Sequence, residues 1–125
     1  MTRDSRRPVI RPATAEDLAK FYGAGKFAST AIATVGLING KIVGCGGLAF
    51  VGGRTIAFCD FKKSARRYKL AIVKAARDVI AAARRNGVRV MYADLDPNEP
   101  GADRWVRSLG FVPTDKPRLY RWMAE

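Results

Sequence analysis

The chain contains no histidine and only two cysteines, Cys45 and Cys59. Without histidine it lacks the commonest general base and every Ser/His or Cys/His catalytic pair. Any proton transfer has to use a carboxylate, a tyrosine, water or the backbone. Two widely spaced cysteines with no imidazole nearby do not make a zinc site, so no metal is expected. Long apolar runs are also missing. No segment is long enough to span a bilayer, and Met1–Arg7 is polar and basic rather than a secretory signal. These features lead to the expectation of a cytoplasmic protein with reduced thiols and no membrane contact. Acids are scarce as well: 11 Asp and Glu stand against 23 Lys and Arg, a formal net charge of +12. That surplus attracts nucleic acid, phosphorylated cofactors, acidic surfaces or anionic lipid without choosing among them.

What is present suits one folded domain. The 125 residues are 48% hydrophobic and 27% charged, enough for a core but too few for separate cofactor and substrate domains. Met1–Arg7 reads as a flexible basic arm and residues 8–125 as the domain. Pro8 to Pro12 has the length of a short strand whose prolines suit a sheet edge. Thr14 is a helix N-cap candidate with Glu16 and Asp17 in the first turn, Leu18, Phe21 and Tyr22 form an apolar stripe, and Gly23-Ala24-Gly25 ends the helix.

From Ala31 to Phe61 the pattern is β. Asn39-Gly40 and Gly52-Gly53 are two-residue turn signals that divide it into a three-stranded antiparallel meander. Counting back from Val51 opposite Arg54 places Cys45 opposite Asp60 and Gly46 opposite Cys59, with the thiols on opposite faces and no disulfide. Gly44, Gly46 and Gly47 leave room for a bulge, a closely approaching backbone or ligand, or the side chains of a packed helix.

The stretch Cys59 to Ala83 organises the rest. A strand ends at Phe61, a basic turn follows, and a long helix is expected to begin near Ser64 or Ala65. Helix-start N–H groups beside Lys62, Lys63, Arg66, Arg67 and Lys69 favour an anion; a basic solvated face without ligand is the alternative. The helix runs to about Asn86 with Ile72, Ala76, Val79, Ile80 and Ala83 on its inner side and Gly87 as its stop. The segment V-R-V-M-Y-A-D-L completes a βαβ unit parallel to the preceding strand. A loop, a short helix with Trp105, Val106 and Leu109 inward, Gly110-Phe111 and a final strand R-L-Y-R-W-M follow.

This order of elements resembles the GNAT superfamily of acyl-CoA-dependent N-acyltransferases. Ile10-Arg11-Pro12-Ala13-Thr14-Ala15-Glu16-Asp17 matches the family's opening I-R-x-A-x-x-x-D. Ala102, Trp105, Val106, Gly110 and Phe111 fall at the spacings of its late A-x-x-L-Y-x-x-x-G-F segment. The resemblance covers nearly the whole chain and implies an α/β (α+β) fold with a central mixed sheet of about six strands flanked by helices. It implies an acetyl-CoA site in which Arg66-Arg67-Tyr68-Lys69-Leu70-Ala71 occupies the pyrophosphate loop (Q/R)-x-x-G-x-(G/A), and in which the backbone of Cys59 to Phe61 pairs with the pantetheine arm while the next strand splays away. Arg66 and Ala71 match the loop, whereas Lys69 replaces its first glycine. That side chain either crowds the phosphates or adds a charged contact to them.

A second departure is chemical. The tyrosine that protonates the leaving thiolate in many members is replaced by Val106, and Tyr68, Tyr92 and Cys59 do not match the motif. Asp60, on the strand before the loop, stands where a general base is common; alternatively it neutralises neighbouring lysines or pairs with Arg66. With the short length and basic surface, these departures resemble small phage and prophage GNAT-like proteins. That implies residual or absent acyl transfer, and a role in a phage particle or host-directed complex. Three readings follow: an acetyltransferase acting on an amine acceptor, a catalytically degenerate binding or assembly protein, and a salt-sensitive nonspecific nucleic-acid binder.

Overall fold

Two hairpin turns set the register of the middle of the molecule. In the computed structural model, which describes residues 8–25 and 30–124, φ is 52° and 79° at Asn39 and Gly40, and 56° and 78° at Gly52 and Gly53. Such turns match the twist of the strands they join. Strands β2 (Thr30–Ile38), β3 (Lys41–Val51) and β4 (Arg54–Phe61) accordingly form the antiparallel meander. Val51 pairs with Arg54, Cys45 with Asp60 and Gly46 with Cys59, as counted from the sequence, and both thiols are free. The basic arm expected over Met1–Arg7 lies outside the described residues.

Approaching backbone explains two of the three glycines of β3, Gly46 and Gly47; an added Cβ at Gly44 would make only ordinary contacts. A Cβ on Gly46 would lie 3.0 Å from the Phe58 carbonyl oxygen, and one on Gly47 would collide with the Ile32 carbonyl. Side chains there would force the neighbouring strands apart.

Strand β1 (Val9–Pro12) pairs antiparallel with β2 at the sheet edge, where a proline costs no ladder bond. Helix α1 (Ala15–Tyr22) follows at once, started by a capping box in which the Thr14 hydroxyl accepts from Asp17 N–H and the Asp17 side chain accepts from Thr14 N–H. Arg11 grips the same carboxylate through both oxygens, at 2.7 and 3.2 Å. The I-R-x-A-x-x-x-D opening is therefore the joint between β1 and α1. These hydrogen bonds, from Arg11 first and then the Thr14 backbone, hold the Asp17 carboxyl well below the usual carboxylate range.

After β4 comes a 3-10 turn, Lys63–Tyr68, and only then helix α2 (Lys69–Arg85). The α-helical start expected near Ser64 or Ala65 is thus displaced to Lys69, because the first six residues adopt the tighter i→i+3 winding. Strand β5 (Val90–Asp94) runs parallel to β4, followed by α3 (Ala102–Ser108), β6 (Val112–Pro113) and β7 (Leu119–Met123). The sheet has seven strands in the order β1-β2-β3-β4-β5-β7-β6. The strand beyond the six read from sequence is the two-residue β6, too short to show periodicity.

Residues paired across strands share a face. Leu48, Met91, Ala93, Tyr120 and Trp122 point to one face, where Ala83 of α2, Val106 of α3 and Phe111 close the core over them. The Gly110-Phe111 pair belongs to this packing: Phe111 is buried, and a Cβ on Gly110 (φ 100°) would press on the Trp122 indole at 3.2 Å. Helix α1 reaches the opposite face, bringing Tyr22 to Asp60. Among the described residues, no helix is long and apolar enough to cross a membrane.

Candidate functional site

The end of β4 is where the sheet comes apart. Strands β4 and β5 are in register at one pair only, Ile56 with Tyr92, so the last residues of β4 have no strand partner on that side among the described residues. The direction of their peptide groups follows from antiparallel alternation. Lys62 N–H donates to the Val43 carbonyl of β3, so Asp60 and Phe58 also turn their peptide groups towards β3. Those of Cys59 and Phe61 turn the other way, onto the open edge. A row of unpaired N–H and C=O groups of this kind is a template for another extended amide chain.

The basic turn lies beside that edge. Neither the 3-10 turn nor α2 begins with a side-chain cap, so first-turn N–H groups are not satisfied by side chains. Lys62, Lys63, Arg67 and Lys69 are exposed and form no ion pair among the described residues. Arg67 instead lies over the Tyr68 ring, 5.6 Å from its centroid. Lys69, at the position where the resemblance expects glycine, is the first residue of α2, and its helical φ of −55° needs no glycine. Leu70 is 88% exposed and Ala71 half-buried.

Arg66 is held differently. Its Nη2 lies 3.1 Å from Glu99 Oε2, a carboxylate in the loop after β5, and its buried Nε has no hydrogen-bond partner among the described residues. The ion pair spans the divergence of β4 and β5. Of the two alternatives for Asp60, pairing with Arg66 is therefore not found.

Asp60 is instead joined to Tyr22, whose hydroxyl donates to Oδ2 at 2.6 Å. Burial, and then the hydrogen bond to this carboxylate, push the phenol pKa well above its ordinary value. Tyr22 was legible only as part of an apolar helix stripe. Its partner lies 38 residues away, and the one available signal was that a tyrosine on such a stripe brings a hydroxyl that needs a partner.

The remaining candidates separate cleanly. Cys59 and Phe61 are half-buried on the core face, and burial, followed by the Asp60 charge, pushes the Cys59 thiol up to about 12. Val106 is 4% exposed within the core and is removed from proton chemistry by its place as well as its side chain. Tyr92 lies under Arg54, whose guanidinium carbon is 5.0 Å from the ring centroid.

Comparison with protein-family models and with curated proteins finds no match. Solved structures do match over nearly the whole chain. A GNAT-family acetyltransferase from Staphylococcus aureus Mu50 is 16% identical with a TM-score of 0.69, covering 95% of this chain and 100% of its own. A putative acetyltransferase from Salmonella typhimurium, solved with its cofactor acetyl-CoA, is 17% identical with a TM-score of 0.70, covering 94% of each chain. The ribosomal-protein-S18-alanine N-acetyltransferase from Escherichia coli is 17% identical with a TM-score of 0.59, covering 95% of this chain and 97% of its own. At these identities the likeness establishes the fold: the chain has the fold of GNAT acetyltransferases.

Proposed function

We propose that the protein is an N-acetyltransferase that binds acetyl-CoA where β4 parts from β5 and transfers the acetyl group to an amine. The observation that carries this reading is the pair of peptide groups at Cys59 and Phe61, unpaired among the described residues, which face an opening flanked by Lys62, Lys63, Arg67 and Lys69, none of them ion-paired among the described residues. The residues fit the ligand. An arm built of amides matches the open edge of β4, and the orphaned Arg66 Nε and the exposed Lys62, Lys63, Arg67 and Lys69 are donors suited to phosphate oxygens. Acetyl-CoA, when bound, supplies an activated acetyl group as a thioester.

The chain's own residues then bind, align and accept a proton. The Cys59 and Phe61 peptide groups hold the arm in register. Arg66, Arg67 and Lys69 neutralise its phosphates, with Lys62 and Lys63 adding to the local potential. Asp60, exposed on the other face at the same end of β4, receives the proton of the incoming amine. Catalysis is mainly positioning, since neither Val106 nor Cys59 offers a proton near neutral pH.

Calorimetric titration with acetyl-CoA at near-physiological salt, with ATP and inorganic pyrophosphate as controls, tests the site. The expected result is saturable micromolar binding, about 8 kcal/mol, that the controls do not reproduce and that Arg66→Glu abolishes. Equal binding of the controls, or none at all, would overturn the reading.

One observation favours a second reading, a GNAT-fold binding or assembly protein without turnover. The residue at the usual tyrosine position is a buried core valine. Acetyl-CoA binding without thiol release for any amine would favour it.

A further inference from the structure

We propose that the groove between the C-terminal half of α2 and the end of α3 is a docking site for an acidic amphipathic helix of another protein. It lies apart from the proposed acyl site. Lys69 begins α2 beside the opening at β4, and Arg84 stands about 22 Å further along the helix axis. The inference is therefore independent of what binds at β4.

The lining decides what kind of ligand fits. The groove has a volume of about 470 Å³ and an apolar floor of Ile80, Ala81, Leu109 and Trp122. Its rim is Arg77, Arg84 and Arg85, all exposed and none of them ion-paired among the described residues. Among the described residues no carboxylate lines it. A row of arginines by itself is only a solvated helix face, but the floor adds a second observation. Trp122 is 3% exposed, yet its indole N–H donates to no acceptor among the described residues, whereas a buried tryptophan usually finds one. Arg84 lies over the same indole, its guanidinium carbon 5.6 Å from the ring centroid. The Ser108 hydroxyl, also in the lining, already donates to the Trp105 carbonyl at 2.6 Å. The unengaged polar groups of the groove are thus guanidinium and indole donors, and a ligand has to bring acceptors together with apolar surface.

Spacing selects the occupant. Arg77, Ala81, Arg84 and Arg85 stand at i, i+4, i+7 and i+8, which is one face of a helix. The arginines are about 10 Å apart along the axis, and the small exposed Ala81 leaves a gap between them. A second helix with Glu at i and i+7 and leucines at i+3 and i+4 repeats this spacing. Its carboxylates reach Arg77 at one end and Arg84 and Arg85 at the other, while the leucines enter the gap over Ile80 and Leu109. A nucleic-acid strand would satisfy the arginines but set polar sugars on an apolar floor. The chain does not supply the occupant itself. Met1–Arg7 carries three arginines against one aspartate, and none of α1, α2 and α3 of a second copy has acids at i and i+7.

The test is an NMR titration of the isotope-labelled whole chain, read at its two indole N–H signals, with a capped peptide of two Glu-Ala-Gln-Leu-Leu-Ala-Gln repeats closed by Glu. The expected result is a saturable shift at Trp122 that exceeds the one at Trp105. Arg77→Glu and Arg85→Glu, both at exposed positions, should each weaken binding by about tenfold or more, and the rest of the spectrum reports that these variants are folded. The peptide with Lys for Glu should not bind, and the one with Ser for Leu should bind at least about tenfold more weakly. No shift at Trp122 with the acidic peptide, or unchanged affinity in both arginine variants, would overturn the proposal. Equal binding of the Ser-for-Leu peptide would also overturn it, by reducing the groove to a charged face. Equal or tighter binding of an oligothymidine would do so by making the groove a nucleic-acid surface.

Discussion

Arg66 Nη2 and Glu99 Oε2, 33 residues apart in sequence, are 3.1 Å apart in space, and they join the segments that follow the two strands whose separation makes the opening. The guanidinium that the acyl-transfer reading assigns to the pyrophosphate already has a partner. A phosphate ligand therefore has to compete with Glu99, or share Arg66 through the free Nε.

The pair is roughly one-third exposed on each side, which places its strength within about 0–1 kcal/mol. Glu99→Gln should accordingly tighten acetyl-CoA binding by roughly two- to fivefold, whereas Arg66→Glu removes it. Calorimetric titration of the two variants reads both effects. Weaker binding by Glu99→Gln would show that Glu99 orients Arg66 rather than competing for it.

The Arg11–Asp17–Thr14 joint predicts an acid dependence. The Asp17 carboxyl ionises in the folded chain below the value of about 3.9 expected when unfolded. Its stabilising contribution is therefore complete above that pH and fades as the pH falls towards the folded value. Asp17→Asn should be less stable than the parent at pH 7, and the difference should shrink below about pH 4. Denaturant melts at the two pH values measure it.

Both thiols are held neutral. Burial pushes Cys45 up to about 11 and Cys59 up to about 12, against about 8.5 in an unfolded chain. Because the thiolate forms more readily in the unfolded state, stability should begin to fall as the pH rises through about 8.5. At pH 8 a disulfide reagent should modify the folded protein slowly and label both cysteines at once in denaturant.

Gly110 and Gly52 separate two causes of glycine dependence. Alanine at Gly52 meets nothing within 4 Å and suffers only its positive φ, whereas alanine at Gly110 also meets the Trp122 indole. Thermal melts should show a loss of about 1 kcal/mol for Gly52→Ala and roughly 2–4 kcal/mol for Gly110→Ala, strain and overpacking combined.

The parts of the molecule readable in the sequence were those decided by neighbours along the chain. Asn39-Gly40 and Gly52-Gly53 specify turns, the turns specify register, and register places Cys45 opposite Asp60 without any knowledge of the rest. The capping residues of α1 and the inward row of α2 were legible for the same reason. The missed features were all long-range or marginal in energy. Tyr22 meets Asp60 only after α1 has packed on the sheet. Glu99 meets Arg66 only after the βαβ crossover closes. The 3-10 start at Lys63 differs from an α-helical one in a hydrogen-bond offset that composition does not encode. The fold was thus legible almost throughout, while the partners within the candidate site were not.

In the proposed site the open edge of β4 receives an amide-bearing arm. Amide hydrogen exchange at Cys59 and Phe61, with and without saturating acetyl-CoA and with ATP as the armless control, tests it most directly. Exchange at these two amides is expected to slow by about tenfold with acetyl-CoA and to be unchanged by ATP. Unchanged exchange with acetyl-CoA, or equal slowing by ATP, would contradict it.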